Sequence, residues 1–298
     1  MKPCHIALVG GGNMGRSIAG GLVAAGQDPA RLTVSDPRPE AREALAAQLG
    51  VRVTDDNQAA AAGAEVVVLA VKPPLVPVVA REIAPALAGR DAVVVSVAAG
   101  VRTADLARWL GGAAAVVRAM PNTPALVGAG ATALYAPPGV GRPHRERAEA
   151  VLRAVGLTLW LEDEALMDAV TALSGSGPAY LFLVMEALEA AGRGLGLPPE
   201  QARLLTLQTA YGAAKMALEA DEPPEALRRR VTSPGGTTER ALAVLEARGL
   251  REAFAEALRA ARDRSRELAE ELARGGTVKG RRNGGRRNGG RAAEERDR

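Results

Sequence analysis

The chain has 298 residues, 47% of them hydrophobic, and a formal net charge of +4, which suffices for two buried cores in an ordinary globular protein. A single cysteine, Cys4, excludes an internal disulfide, and with His5 and His144 as the two histidines no zinc cluster can be assembled. No run of about 18 uninterrupted apolar residues is present, and the first apolar run breaks at once into Gly10, Gly11 and Gly12 instead of continuing as a signal peptide, so a cytoplasmic location with no membrane partner is expected.

In chain order, short β-branched runs alternate with alanine-rich helical stretches, the pattern of a parallel sheet covered by helices. Strands are predicted at residues 5–10, 31–36, 51–53, 65–71, 92–98 and 114–119, and two further runs, 131–136 and 157–161, can close the same sheet. After Asp163 the pattern turns helical, with apolar residues at helical spacing in 164–173, 179–191, 199–219, 238–247 and 251–273. In the last helix Phe254, Leu258, Ala261, Leu268 and Leu272 keep mainly to one stripe, which needs either the preceding helices or a second copy of the chain as a partner. The expected class is α/β: an N-terminal, mostly parallel sheet in a dinucleotide-binding domain (1–162), an all-helical domain (163–275) and a tail (276–298). The tail repeats Arg-Arg-Asn-Gly-Gly, and residues 279–298 hold eight Lys/Arg against three acids, so the rest of the chain is close to neutral. With almost nothing apolar to bury and no aromatic for base stacking, it reads as a disordered, solvated segment rather than a nucleic-acid contact.

Gly10, Gly12 and Gly15 match G-x-G-x-x-G between a predicted strand and a helix predicted to start near Arg16. That spacing suits a dinucleotide: Gly10 for the tight turn, Gly12 for close approach of a pyrophosphate, Gly15 for helix packing, with Asn13 and Met14 between them. Asp36 lies 21 positions beyond Gly15, where a carboxylate takes the ribose 2′-hydroxyl of NAD(H). Alternatively Ser35 and Arg38 surround the 2′-phosphate of NADP(H), with Asp36 turned away, or Asp36-Pro37 simply marks a turn.

Four more segments sit at strand or helix ends. Ala70, Val71, Lys72 and Pro73 end a buried strand where cofactors bind in such sheets, although Lys72 can equally mark the strand's exit to water. In Met120-Pro121-Asn122-Thr123-Pro124 two prolines stiffen the loop, and Asn122 either positions a nicotinamide or completes a turn. Ser174-Gly175-Ser176-Gly177-Pro178 interrupts a helical stretch, and its amides either hold an anion or relieve strain. In Thr232-Ser233-Pro234-Gly235-Gly236-Thr237-Thr238-Glu239 the glycines let amides at the next helix start point inward, where the helix dipole favours a small carboxylate. Thr237 is placed to cap that helix, and Thr238 adds a hydroxyl.

Taken in order, Gly-Gly-Gly-Asn-Met-Gly, Ala-Val-Lys-Pro, Met-Pro-Asn-Thr-Pro, Ser-Gly-Ser-Gly-Pro-Ala-Tyr and Thr-Ser-Pro-Gly-Gly-Thr-Thr resemble the pyrroline-5-carboxylate reductase family over residues 5–273. The resemblance implies a Rossmann domain followed by a helical domain that dimerises, often with assembly of dimers into rings. It implies hydride transfer from NAD(P)H to the cyclic imine 1-pyrroline-5-carboxylate, giving L-proline, the last step of proline biosynthesis. It also implies that the carboxylate sits on the loop formed by Ser233, Gly235, Gly236 and Thr237, with Ser176 nearby and Thr238 near the ring nitrogen. Two positions depart from the family pattern. Gly11 replaces the usual alanine of Gly-Ala-Gly, and Ser35-Asp36 stands where many relatives carry residues suited to a 2′-phosphate, which leaves NADP(H) or NAD(H) open.

Neither histidine nor the cysteine lies in a glycine loop, so catalysis is expected to be chiefly positioning, without metal. A related hydroxyacid dehydrogenase would need a catalytic lysine in the helical part. Lys215, the one lysine between Lys72 and Lys279, has no glycine-rich neighbours and reads as a surface residue. A non-catalytic nucleotide sensor would have no use for a carboxylate loop.

Overall fold

Eight strands form one sheet, whose central strands are β-branched runs buried on both faces and whose two edge strands are partly exposed. In β1 (Ile6–Val9) Ile6 and Leu8 point to one face, and Ala7 and Val9 to the other. The computed structural model describes residues 4–274, so the basic tail lies outside the described residues. Next come α1 (Asn13–Ala24), β2 (Leu32–Ser35), α2 (Pro39–Leu49), β3 (Arg52–Thr54), α3 (Asn57–Ala61), β4 (Val66–Leu69), α4 (Val76–Leu87), β5 (Val93–Ser96), α5 (Thr103–Trp109) and β6 (Ala115–Met120). They are followed by β7 (Gly130–Tyr135), α6 (Arg142–Arg153) and β8 (Gly156–Trp160). The strand order is β3-β2-β1-β4-β5-β6-β7-β8. β1 to β6 are parallel, β7 runs antiparallel to β6, and β8 is parallel to β7. The order reverses between β1 and β4, and the chain ends of those strands open the crevice in which such sheets bind ligands.

Each face carries its own core. Ile18 and Leu22 of α1, Leu45 of α2 and Val151 and Leu152 of α6 cover one side, and Val76 and Ile83 of α4 with Leu106 of α5 cover the other. The helix expected near Arg16 begins three residues earlier, at Asn13, which brings Asn13, Met14 and Gly15 into its first turn.

The helical part starts with α7 (Met167–Val170), which passes through a π-turn (Thr171–Gly175) into α8 (Gly177–Gly194). The stretch is thus interrupted, with a bend at Ser176 between the π-turn and α8, and the helix restarts at Gly177 with Pro178 in its first turn, as expected. Then follow α9 (Pro199–Glu219), α10 (Pro224–Arg230), α11 (Thr237–Ala247) and α12 (Leu250–Ala273). The sequence reading missed α10, although Pro224 at its start and three arginines in its last turn are the signs of a short helix. The α12 stripe has two fates. Its C-terminal half returns to the sheet domain, where Ala269 and Leu272 are buried against the turn at Gly100. Phe254 stays exposed, as do Leu181, Phe182 and Leu183 of α8 and Leu204 and Leu205 of α9. No helix among the described residues is long and apolar enough to cross a membrane.

Candidate active site

The glycine loop is shaped by two close approaches of backbone. Gly10 has φ +108°, and a Cβ there would stand 2.7 Å from the Ala70 carbonyl oxygen; at Gly15 it would stand 1.9 Å from the Gly10 carbonyl oxygen. Both glycines are thus required by the fold itself. Gly12 differs, because a Cβ there would meet nothing within 4 Å. Its lack of a side chain leaves the start of α1 open toward a surface recess of about 410 Å³ lined by Gly11, Gly12, Asn13, Arg16, Arg38, Glu40 and Ala41. Open backbone at a helix start facing a basic recess fits a dinucleotide pyrophosphate. Met14 packs against the core rather than into the recess.

The other expected cofactor residues have mixed placements. Ala70 and Val71 pack on the glycine loop, with Val71 Cγ1 3.1 Å from where a Gly10 Cβ would lie. Lys72 is exposed and precedes the short turn begun by Pro73. Ser35 is fully buried, and its hydroxyl donates to Asn57 Oδ1 at 2.8 Å. It cannot surround a phosphate from there; its carbonyl instead accepts from Gly10 N at 2.8 Å and anchors the loop. The Asp36 carboxylate is turned inward and accepts from Gly11 N at 2.9 Å, Arg38 N at 3.0 Å, and Arg38 Nε and Nη2 at 2.9 and 3.1 Å. Burial works against its charge, but the bonds from the Arg38 side chain and from the amides of Arg38 and Gly11 outweigh it, and its pKa is lowered.

Asn122 is a strut. Its Nδ2 reaches Ser174 O and Oγ, each at 3.3 Å, and its Oδ1 accepts from Ala131 N at 2.9 Å, so the side chain expected at a nicotinamide joins the end of β6 to the helical part. Gly175 has a packing reason as well, since a Cβ there would meet Met120 Cε at 2.4 Å. The Ser176 amide donates to Thr171 O at 2.9 Å, which removes it as an anion donor.

The threonine- and glycine-rich loop folds differently from the expectation in one respect. Gly236, not Thr237, is the N-cap, and Thr237 is the first helical residue of α11. Counted from Gly236, Glu239 is the third helical position, and its Oε2 accepts from Gly235 N at 2.7 Å. The Gly236 amide donates to Ser233 O at 3.0 Å. Both glycine amides are thus engaged, and Gly235, with φ +71°, shapes the turn. The amides of Thr237 and Thr238, in the first turn of α11, have no acceptor within the helix. Among the described residues no hydrogen bond or ion pair joins residues 232–239 to the sheet domain.

Arg16 was not expected to take part in the site. Its signal was present in the sequence as the residue directly after G-x-G-x-x-G, one helical position from Gly15. Lys215 pairs with Glu219 on an exposed face of α9, as a surface lysine would. No group of three or more His, Cys, Asp or Glu that could hold a metal is present among the described residues.

Comparison with known proteins matches two segments of the chain to described families. Residues 5–100 match the family described as NADP oxidoreductase, coenzyme F420-dependent, and residues 164–268 match that described as pyrroline-5-carboxylate reductase dimerisation. The chain is 50% identical over 272 residues to the pyrroline-5-carboxylate reductase of Pseudomonas aeruginosa, covering 91% of this chain and 99% of that protein. It is 42% identical over 264 residues to the Haemophilus influenzae reductase, covering 88% and 97%. The Coxiella burnetii pyrroline-5-carboxylate reductase structure superposes with a TM-score of 0.86 at 48% identity, over 90% of this chain and 99% of that one. The Plasmodium falciparum pyrroline carboxylate reductase with NADP bound gives 0.80 at 28% identity, over 90% and 99%. Identity at this level over nearly the full length of such relatives means that the chain belongs to the pyrroline-5-carboxylate reductase family.

Proposed function

We propose that this chain reduces 1-pyrroline-5-carboxylate to L-proline in the cytoplasm, using a nicotinamide dinucleotide held by residues 1–162 and a carboxylate loop within residues 163–275. The observation that carries the reading is the pairing of an open Gly12 backbone with 50% identity to a reductase of that name over 99% of its length.

When bound, NAD(P)H supplies the hydride that adds to the imine carbon. The chain's residues have three tasks. Gly12 and the first turn of α1 admit the pyrophosphate, with Asn13 and Arg16 at the rim of the recess. The Thr237 and Thr238 amides with the Ser233 hydroxyl hold the substrate carboxylate, and Gly235 and Gly236 keep that turn in shape. The Thr238 hydroxyl hydrogen-bonds the ring nitrogen, which carries its proton from solution, so no strong acid is required of the protein. Ser176, whose hydroxyl has no partner among the described residues, is assigned to the substrate's rim. The large apolar side chains exposed along α8 and α9, among them Leu181, Phe182, Leu183, Leu204 and Leu205, support self-association through the helical part.

The deciding assay follows NADPH and NADH oxidation with pyrroline-5-carboxylate and with a panel of 2-keto acids. Oxidation with the imine alone, accompanied by proline, is expected. Turnover of a keto acid but not of the imine would overturn the reading, and tight nucleotide binding without any turnover would favour a sensor.

A further inference from the structure

The proposed reaction needs two units of the chain to meet. The sheet domain carries the dinucleotide loop and the helical part carries the carboxylate loop, while among the described residues no hydrogen bond or ion pair joins residues 232–239 to the sheet domain. The placement of that loop is therefore governed by the joints at which the helices leave the sheet. Hydride transfer tolerates little error there, because a displacement of about 1 Å can cost about a hundredfold in rate.

One joint stands at the carboxyl end of β6, the end at which sheets of this kind bind ligands. Asn122, half-buried just beyond Met120, uses its side chain in two directions. Its Oδ1 accepts from Ala131 N at 2.9 Å, which fixes the group to β7 inside the sheet domain. Its Nδ2 donates to Ser174 O and Oγ, each at 3.3 Å, in the π-turn from which α8 starts. Beside it Met120 Cε occupies the space that a Gly175 Cβ would need, so the glycine lets the methionine close on the same turn. The turn is itself tied together, by the Ser176 amide on Thr171 O at 2.9 Å and by the Thr171 hydroxyl on Met167 O at 2.8 Å. A pull on Ser174 is thus passed to α7 before it and to α8 after it. Helical turns of this wide type are concentrated at functional sites.

The task demands an amide side chain. One planar group accepts from an amide of the sheet domain and donates to a carbonyl of the helical part, and a carboxylate of the same shape cannot donate. The leverage is large: α8 has 18 residues and is about 27 Å long, so a tilt of about 5° at its base moves its far end by about 2 Å.

We infer that Asn122 is a positioning residue for hydride transfer. It touches neither cofactor nor substrate; through Ser174 it holds the helical part at the angle that brings the bound imine to the nicotinamide. The inference rests on the reductase reading proposed above and takes the place of the nicotinamide contact expected at Asn122.

The test measures nucleotide binding and the hydride step separately, on the full chain, with whichever of NADPH and NADH the native chain oxidises faster. Asn122→Ala removes both arms of the strut. Asn122→Asp keeps the bond from Ala131 N and loses the donor to Ser174, and Ser174→Ala keeps the Ser174 carbonyl and loses the hydroxyl. Single-turnover rates by stopped flow are expected to fall by about tenfold or more in the two Asn122 variants and by about threefold or less in Ser174→Ala, with nucleotide affinity of Asn122→Ala within about twofold of native. The primary deuterium isotope effect on kcat should rise toward its single-turnover value in the Asn122 variants, because a misaligned hydride step becomes the slow one. A fall of about tenfold in the nucleotide affinity of Asn122→Ala would make Asn122 a cofactor contact and overturn the inference. An unchanged hydride step in Asn122→Asp would overturn it too, and that variant decides the matter if Asn122→Ala does not fold. Absence of imine reduction by the native chain would instead remove the reductase reading, and the inference with it.

Discussion

Ser265 of α12 donates its hydroxyl to Asp168 Oδ1 at 2.8 Å, joining positions 97 residues apart in the chain. Around this bond lies a buried polar cluster. Arg118 of β6 reaches Glu164 Oε1 at 3.2 Å and Asp168 Oδ1 at 3.9 Å, Arg266 Nε lies 3.8 Å from Asp168 Oδ2, and Glu164 accepts from both the amide and the hydroxyl of Thr103. The last helix is thereby fastened to the sheet domain, and its alignment with β6 depends on side chains that hold each other's charges.

Removing one member should leave Arg118 buried without its nearest partner. Glu164→Ala is expected to lower the unfolding free energy by about 3 kcal/mol, against about 1 kcal/mol for Ser265→Ala, which loses one hydrogen bond. Urea unfolding of the two variants beside the native chain checks the order; equal losses would show that the cluster does not restrain Arg118.

Two glycines of one loop should behave in opposite ways. Gly12→Ala adds a methyl where the protein has open space, so thermal stability is expected to stay within about 0.5 kcal/mol of native while dinucleotide affinity falls by about tenfold or more. Gly15→Ala forces a Cβ against the Gly10 carbonyl and should lower stability by about 2 kcal/mol or more. Calorimetric melting with and without NADPH separates the two effects.

Thr238→Ala is expected to reduce kcat by about tenfold or more and leave NADPH binding intact, the cost of one hydrogen bond made in the transition state. Unchanged turnover would remove Thr238 from the proposed chemistry.

The hydrogen bonds to Asp36 should be visible in the acid dependence of stability. Because the folded pKa is lowered relative to the unfolded value of about 3.9, the stabilisation is complete above about pH 5 and drains away as pH falls through the folded value. Asp36→Asn should therefore be less stable than native at neutral pH and converge on it in acid. Parallel urea midpoints across that range are the measurement, and a constant gap between the two proteins would contradict the expectation.

Phe182 is 62% exposed on α8 beside Leu181 and Leu183. Replacing it by Asp should weaken self-association, shifting the sedimentation-velocity distribution toward single chains, because a desolvated carboxylate in an apolar contact costs several kcal/mol. Retention of the native distribution would place the contact elsewhere.

All eight strands, the long helices and the three glycines of the dinucleotide loop could be read from sequence. Burial on both faces demands continuous apolar runs in the central strands, an amphipathic helix demands its period, and backbone crowding excludes a Cβ at Gly15 from within the loop and at Gly10 from the neighbouring Ala70. Short α10 was hidden because seven residues carry too little periodicity to stand out from a turn. The roles of individual polar side chains were a different matter, since they depend on which partner reaches them first. Asp36, Ser35 and Asn122 were each plausible cofactor ligands by position. In the fold Arg38 fills the first, Asn57 takes the hydroxyl of the second, and Ser174 and Ala131 engage the third. Glu239 likewise claims the Gly235 amide. A hydrogen bond is settled by distances of a few tenths of an ångström between residues that, like Asn122 and Ser174, lie 52 positions apart, and spacing along the chain carries no such information. The sequence by itself determined that the chain carries a dinucleotide-type glycine loop; the tertiary structure decided which polar side chains around it are already engaged, because that depends on distances between residues remote in the chain.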